Sequence, residues 1–166
     1  MQLLTRMLIV IVFALGCSFA QARQLSGVVT HVSDGDTLWV RLASNAESVK
    51  VRFQGIDAPE SCQAWGREAT AALTRKTLHH TVVLDIKSRD TYGRLLARVH
   101  RDREDVGAWM VSQGHAWSNH FHTSQGPYAA QENSAKAARR GLWHASAPAP
   151  IEPRAFRKLY GPCPTR

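Results

Sequence analysis

Residues 24–32, QLSGVVTHV, are mostly apolar and β-branched, and the run TLWVRL at 37–42 places Leu38, Val40 and Leu42 on one face. An alternation of two is the period of a half-buried strand. Between the two runs stands SDGD, and Asp-Gly flanked by strand patterns is a strong short-range hairpin signal. After the turn ASNAE, the run SVKVRF at 48–53 alternates again, with Val49, Val51 and Phe53 inward and Arg52 on the other face. The opening of the chain therefore predicts a three-stranded meander.

The period then changes. In WGREATAALTRKTLHH (65–80), Trp65, Ala69, Ala72, Leu73 and Leu78 keep mostly to one helical stripe, away from Arg67, Glu68, Arg75 and Lys76. TVVLDI (81–86) predicts a fourth strand, KSRDTYG a loop and RLLARVH (94–100) a fifth strand. VGAWMVSQG predicts a short helix ended by Gly114, and YAAQENSAKAARR a third helix stopped at Gly141. The remaining tail is Pro-rich and basic and is expected to wrap the surface. No repeat or second domain is evident. Five short strands with the first helix between the third and fourth follow the order of a five-stranded OB-type barrel with three helices, an α+β fold that is mainly β. Periodicity alone does not select it over another small α+β fold.

At 166 residues, with 44% apolar and 20% charged, the chain is long enough for one well-buried domain and does not read as disordered. Its 21 Lys and Arg against 13 Asp and Glu give a net charge of +8. Such a balance concentrates polyanions near the surface, although an indifferent basic surface would account for it equally well.

The N-terminus reads as a targeting segment. Arg6 precedes an apolar run from Met7 to Leu15, and Ala20-Gln21-Ala22 fits an A-x-A cleavage site. The run is short for a membrane span. The expected organisation is a signal peptide at 1–22, an OB domain at 23–145 and a basic tail at 146–166, with the mature protein periplasmic or secreted. ALGC also weakly resembles a lipoprotein box with Cys17 as the lipidated residue, and simple secretion ranks above it. Loss of Cys17 leaves Cys62 and Cys163, an even pair in an oxidising compartment, which invites a disulfide. Closing a loop of about 100 residues is worth about 4–5 kcal/mol in the chain-entropy model.

Candidate chemistry gathers around VRFQGIDAPESC (51–62) and the hairpin. Asp34 and Asp36 close the hairpin, where aspartate is also an ordinary turn residue. Asp57 and Glu60 flank Pro59, which pushes Ala58 toward extended geometry and fixes its carbonyl relative to the two carboxylates. Carboxylate and carbonyl oxygens are what a hard cation such as Ca²⁺ takes. Arg52, and Arg94 after DTYG, carry guanidinium groups suited to bidentate phosphate binding. Each alone is more often a surface residue. Two of them near two acid clusters in a basic exported domain point to phosphodiester chemistry.

The segments VSDGDTLWV, VRFQGIDAPES, RDTYGRLLA, VSQGHAW and AARRGLW occur in the order and approximate spacing of the staphylococcal nuclease (thermonuclease) family, which the chain resembles over roughly residues 24–145. DGDT alone is unspecific. An Arg five residues before the Asp of DAPE, with DxYGR downstream, is specific in combination. The resemblance implies an OB barrel and a Ca²⁺-dependent nuclease that acts on DNA and RNA, cleaving P–O5′ bonds to leave 3′-phosphate ends. It implies Asp36, Asp57 and the Ala58 carbonyl as calcium ligands, Arg52 and Arg94 as holders of the scissile phosphate, and Glu60 as general base. Asp34 and Asp90 match supporting acids, and Tyr92 a nucleotide-contacting tyrosine. A monomer without a stable membrane span is expected.

Where the family commonly places base-stacking tyrosines this chain has WSNHFHTSQGPY, so Phe121, Tyr128 or a histidine ring are the stacking candidates. His120 and His122 form an H-x-H without a third ligand at readable spacing, which reads as a polar loop and disfavours a zinc hydrolase. Trp39, Trp109, Trp117 and Trp143 read as core or half-buried anchors. The competing function is a nucleic-acid-binding OB module without catalysis, which would have no need of Asp36, Asp57 and Glu60 beside a phosphate.

Overall fold

The computed structural model describes residues 23–120, 125–145 and 149–164. The expected signal peptide with Cys17, and Phe121 and His122, lie outside the described residues. Three strands open the fold: β1 (Arg23–Asp34), β2 (Thr37–Leu42) and β3 (Ser48–Phe53). A short β4 (Ile56–Asp57) precedes helix α1 (Gly66–Thr77), followed by β5 (Thr81–Arg89) and β6 (Leu95–Arg101). Then come β7 (Glu104–Asp105), α2 (Val106–Ser112), β8 (Trp117–Ser118), α3 (Ala129–Ala137), a 3₁₀ turn at Gly141–Trp143 and α4 (Pro153–Tyr160).

The sheet order is β3-β2-β1-β5-β6, and β3 also pairs with β6, so the five long strands close on themselves as an OB-type barrel. The neighbours are antiparallel except for the closing pair, which is parallel, with Arg52 opposite Leu96. Closure leaves an interior into which every second residue points. Val29, Leu38, Val40, Val51, Leu84 and Val99 are fully buried there, and α1 and α2 add Leu73, Val106 and Met110.

The elements differ from the sequence reading mainly at their ends. Trp65, expected on the first helix, is instead the residue before it, held at φ 68° with its indole Nε1 donating to His115 Nδ1 at 3.1 Å. The fourth strand runs three residues further, to Arg89, because Ser88 and Arg89 pair with Leu96 and Leu95 of β6. A larger departure is α4, a fourth helix within the Pro-rich tail expected only to wrap the surface. Pro153 sits in its first turn and Gly161 follows its end at φ 78°, the usual asymmetry of helix boundaries. Phe156 and Tyr160, one turn apart, pack with ring centroids 5.0 Å apart and planes tilted by 43°. A disulfide joins Cys62 to Cys163 across 101 residues and ties this helix to the loop after β4.

Gly35 sets how closely the first hairpin meets that loop. A Cβ at Gly35 would stand 2.7 Å from the Cβ of Ala58 and 2.9 Å from that of Ala69. Neither neighbour is a flexible side chain that can swing away. Gly35→Ala should therefore destabilise the protein by about 1–3 kcal/mol, the usual cost of overpacking, read as a lower midpoint in urea. An unchanged midpoint would mean that the hairpin and the loop are not locked together.

Candidate active site

The close approach at Gly35 brings Asp36 against the DAPE loop. Asp36 Oδ2 accepts from the Ala58 amide at 2.8 Å, and its Oδ1 accepts from the Thr37 hydroxyl at 3.1 Å. Asp34, two residues earlier, accepts from the Asp36 amide at 3.0 Å, an Asx turn that fixes the hairpin tip. Asp57 arrives from β4, which pairs with β8 and lies opposite Trp117. Three aspartates thus converge from two loops that are far apart in sequence.

Arg52 stands between them. Its Nη2 donates to Asp57 Oδ1 at 2.8 Å and lies 3.1 Å from Asp36 Oδ2, while its Nη1 donates to the carbonyls of Phe53 and Ile56, both at 3.0 Å. One guanidinium therefore fastens the end of β3 to β4 and neutralises part of the acid cluster. The neutralisation is incomplete. Burial, and then the charge of Asp36, push the carboxyl of Asp34 up to about 7. Burial and Asp36 likewise raise Asp57 to about 6, against the opposing pull of Arg52 and Arg157. The cluster carries more negative charge than its own arginine offsets.

Arg94 is placed by its own loop. Asp90 Oδ1 accepts from the amides of Tyr92 and Arg94, and its Oδ2 accepts from Arg94 Nε at 2.7 Å. Desolvation, the largest single influence on Asp90, raises its carboxyl, but these bonds and the arginine's charge together outweigh it and hold the carboxyl below its ordinary value. The turn is closed by Gly93 at φ 78°. Parallel pairing of β3 with β6 then sets Arg94 at the same end of the barrel as Arg52. The Tyr92 ring is exposed and lies 5.4 Å from the Arg94 guanidinium.

Asp34, Asp36, Arg52, Asp57, Ala58, Glu60, Tyr92 and Arg94 all line one cleft of about 420 Å³, and Asp90 stands behind Arg94. The structure thus brings the candidate residues named from the sequence together. Among the described residues no group of three or more His, Cys, Asp or Glu side chains is spaced to hold a metal ion. The expected donor set, two carboxylates and the Ala58 carbonyl, falls below that count, and the excess negative charge around it suits a cation.

Several participants are not legible in the sequence pattern. Arg157 of α4 enters the cleft and pairs with Glu60 Oε1. Gln63 is buried and works at both ends: its Oε1 accepts from the Glu60 amide at 3.1 Å and its Nε2 donates to the Ile151 carbonyl at 2.5 Å. The only hint lay in Pro and Gly bracketing PRAFRKLYG, which marks a helix carrying arginines. Tyr128, a stacking candidate, is excluded from that role: it is 5% exposed and its hydroxyl donates to Asp105 at 2.8 Å. His120 lies 3.5 Å from Glu152 of the tail.

Comparison with known proteins agrees with this geometry. The family described as Staphylococcal nuclease homologue matches residues 50–145. An uncharacterized endonuclease of Haemophilus influenzae is 34% identical over 94% of this chain and 84% of its own length. Protein ParB of Escherichia coli is 36% identical over 81% of this chain and 80% of its own, and a micrococcal nuclease of Shigella flexneri 34% identical over 80% of each. With the barrel closed as above, the family match spanning more than half of the chain and the Haemophilus relative aligned over nearly all of it, the chain belongs to the staphylococcal nuclease family.

Proposed function

We propose that the chain is an exported, calcium-dependent nuclease that hydrolyses phosphodiester bonds of DNA and RNA at P–O5′ and leaves 3′-phosphate ends. The observation that carries this reading is the meeting of Arg52, Arg94, Glu60 and the aspartate cluster in one cleft. Asp36, Asp57 and the Ala58 carbonyl are the donors that would hold the ion. When bound, a hard divalent cation supplies positive charge beside the phosphate oxygens, where negative charge grows during attack.

The chain's own residues do the rest. Asp36 and Asp57 are the present counter-ions of Arg52. With those carboxylates neutralised elsewhere, the guanidinium turns its donors to phosphate oxygens. Arg94, aligned by Asp90, offers a second set of donors. Two donors aimed at developing charge favour the transition state over the ground state. Glu60 takes a proton from the attacking water, for which a placed carboxylate is a competent base. Tyr92 contacts the nucleotide beside Arg94. The disulfide fits an oxidising compartment, which supports a periplasmic or secreted location; cleavage after Ala22 and a monomeric state are parts of the same proposal.

Incubation of the mature protein with plasmid and RNA, with Ca²⁺ or with chelator, and identification of the product ends tests the reading. Activity indifferent to chelation, or 5′-phosphate ends, would contradict it. Arg52→Lys, which keeps the charge but loses the fork, and Glu60→Gln should each lower kcat at least about 10²-fold. A near wild-type rate in either variant removes the role assigned to that residue.

The raised carboxyls give a second test. A folded pKa above the ordinary 3.8 means that the folded protein binds protons more tightly than the unfolded chain. The stability these groups contribute is full below about pH 4 and is lost as the pH rises through 6 and 7. Without metal, the wild type should lose more Tm between about pH 5 and pH 8 than Asp34→Asn does. Ca²⁺ should raise Tm more at the higher pH, where the aspartates are ionised and repel. No rise at pH 8 would separate the acid cluster from cation binding.

A further inference from the structure

The arginines assigned above come from β3 and β6, but the cleft holds another. Arg157 reaches it from α4, a helix outside the barrel and outside the matched residues 50–145. Its position is built rather than incidental. Cys163, six residues further on, is bonded to Cys62, two residues after Glu60. Gln63 clamps the Glu60 amide to Ile151, ahead of the helix, and Pro153 at its start is buried. The helix is thus fastened to the Glu60 loop at both ends, and Arg157 has little freedom to leave the cleft mouth.

The guanidinium itself remains available. The Arg157 side chain is 45% exposed, against 16% for Arg52 and 26% for Arg94. Arg52 donates to two carbonyls and Asp57 and also lies against Asp36, whereas the partner of Arg157 is Glu60. That pairing conflicts with the work assigned to Glu60. A carboxylate oxygen occupied by a guanidinium is not open to an attacking water. A phosphate oxygen entering the cleft competes for the same donors, and a planar guanidinium suits phosphate as well as carboxylate. Arg154, one helical turn earlier, lines an adjoining cleft with Trp117 and Asn119, and Asp57 lines both clefts. The exposed face of α4 therefore presents two cations one turn apart, each at one of two clefts that share Asp57.

Building on the nuclease reading, we propose that Arg157 is a substrate-binding residue: it is the counter-ion of Glu60 in the free protein, and it transfers to a phosphate of the bound strand, leaving Glu60 open to water. Substrate arrival and exposure of the base become one event. The residue acts on binding and on access to Glu60 and takes no proton itself.

The test uses the full mature protein and a fluorescent single-stranded DNA oligonucleotide, with chelator present to stop turnover. Affinity is measured between about 50 and 200 mM NaCl. Arg157→Ala should weaken binding about threefold to tenfold and lower the steepness of log Kd against log salt by about 0.7, the share of one phosphate contact on a single strand. Arg157→Lys should keep the steepness. Glu60→Gln should tighten binding when Arg157 is present and have a smaller effect in the Arg157→Ala background. With Ca²⁺, Arg157→Ala should raise KM. Unchanged affinity and salt dependence in Arg157→Ala, with only a lower Tm, would make the residue a structural strut. Equal tightening by Glu60→Gln in both backgrounds would reduce the pair to general charge repulsion, and either result overturns the inference. If Glu60→Gln turns over at the wild-type rate while Arg157→Ala loses its salt dependence, the base assignment fails and the binding role of Arg157 stands.

Discussion

One guanidinium holds the cleft together. Arg52 binds the carbonyls of Phe53 and Ile56 on one nitrogen and faces Asp57 and Asp36 on the other. Without it the turn after β3 would lose its tie to β4, and partly buried carboxylates would face each other unshielded. Charges taken out of water are costly unless paired, and removing one member of such a pair costs more than the pair contributes. The acid cluster can therefore exist only where the barrel delivers an arginine into its midst. That place is the end of β3, where the strand's polar face turns toward the cleft while Val51 and Phe53 fill the core.

The same rule extends around the cleft. Arg94 is matched by Asp90 and Arg157 by Glu60. Each of these cations has an anionic partner within the protein, so the arginines' charges are offset without metal or nucleic acid. The exception is the excess at Asp34 and Asp57, whose carboxyls sit above their ordinary values because burial and mutual repulsion oppose ionisation. Under the proposed function such a site would exchange partners, its acids passing to a cation and its arginines to phosphate. Net charge does not express this readiness. It lies in which pairs are internal and which of them are exposed enough to trade.

The scaffold beneath is ordinary in its physics. The barrel interior is filled by the alternate residues of five strands, and α1 and α2 cover what the barrel leaves open. The tail is attached by other means. A disulfide, the two-ended Gln63 and the half-exposed pair of Glu60 with Arg157 fasten α4 to the loop that carries Glu60. Polar and covalent ties suit a short helix that buries little apolar surface. They also set a cationic helix over the cleft without enlarging the core.

The strands, the hairpin at Asp34–Asp36 and the acid and arginine positions were legible along the chain, because alternation and turn chemistry are local properties recorded in neighbouring residues. Motif order carried the family resemblance for the same reason. Tyr128 looked as free as any aromatic in its loop, yet packing buries it and Asp105 takes its hydroxyl. The tight contact of Gly35 with Ala58 and Ala69 and the parallel closure of β3 on β6 required the fold. So did the pairing of Arg157 with Glu60 across 97 residues. Such contacts depend on distances between segments that no local pattern encodes. The sequence by itself determined which charges and which strands the protein has, and only the tertiary structure decided which charges face one another, because Coulombic and hydrogen-bonding partners are chosen by proximity in space.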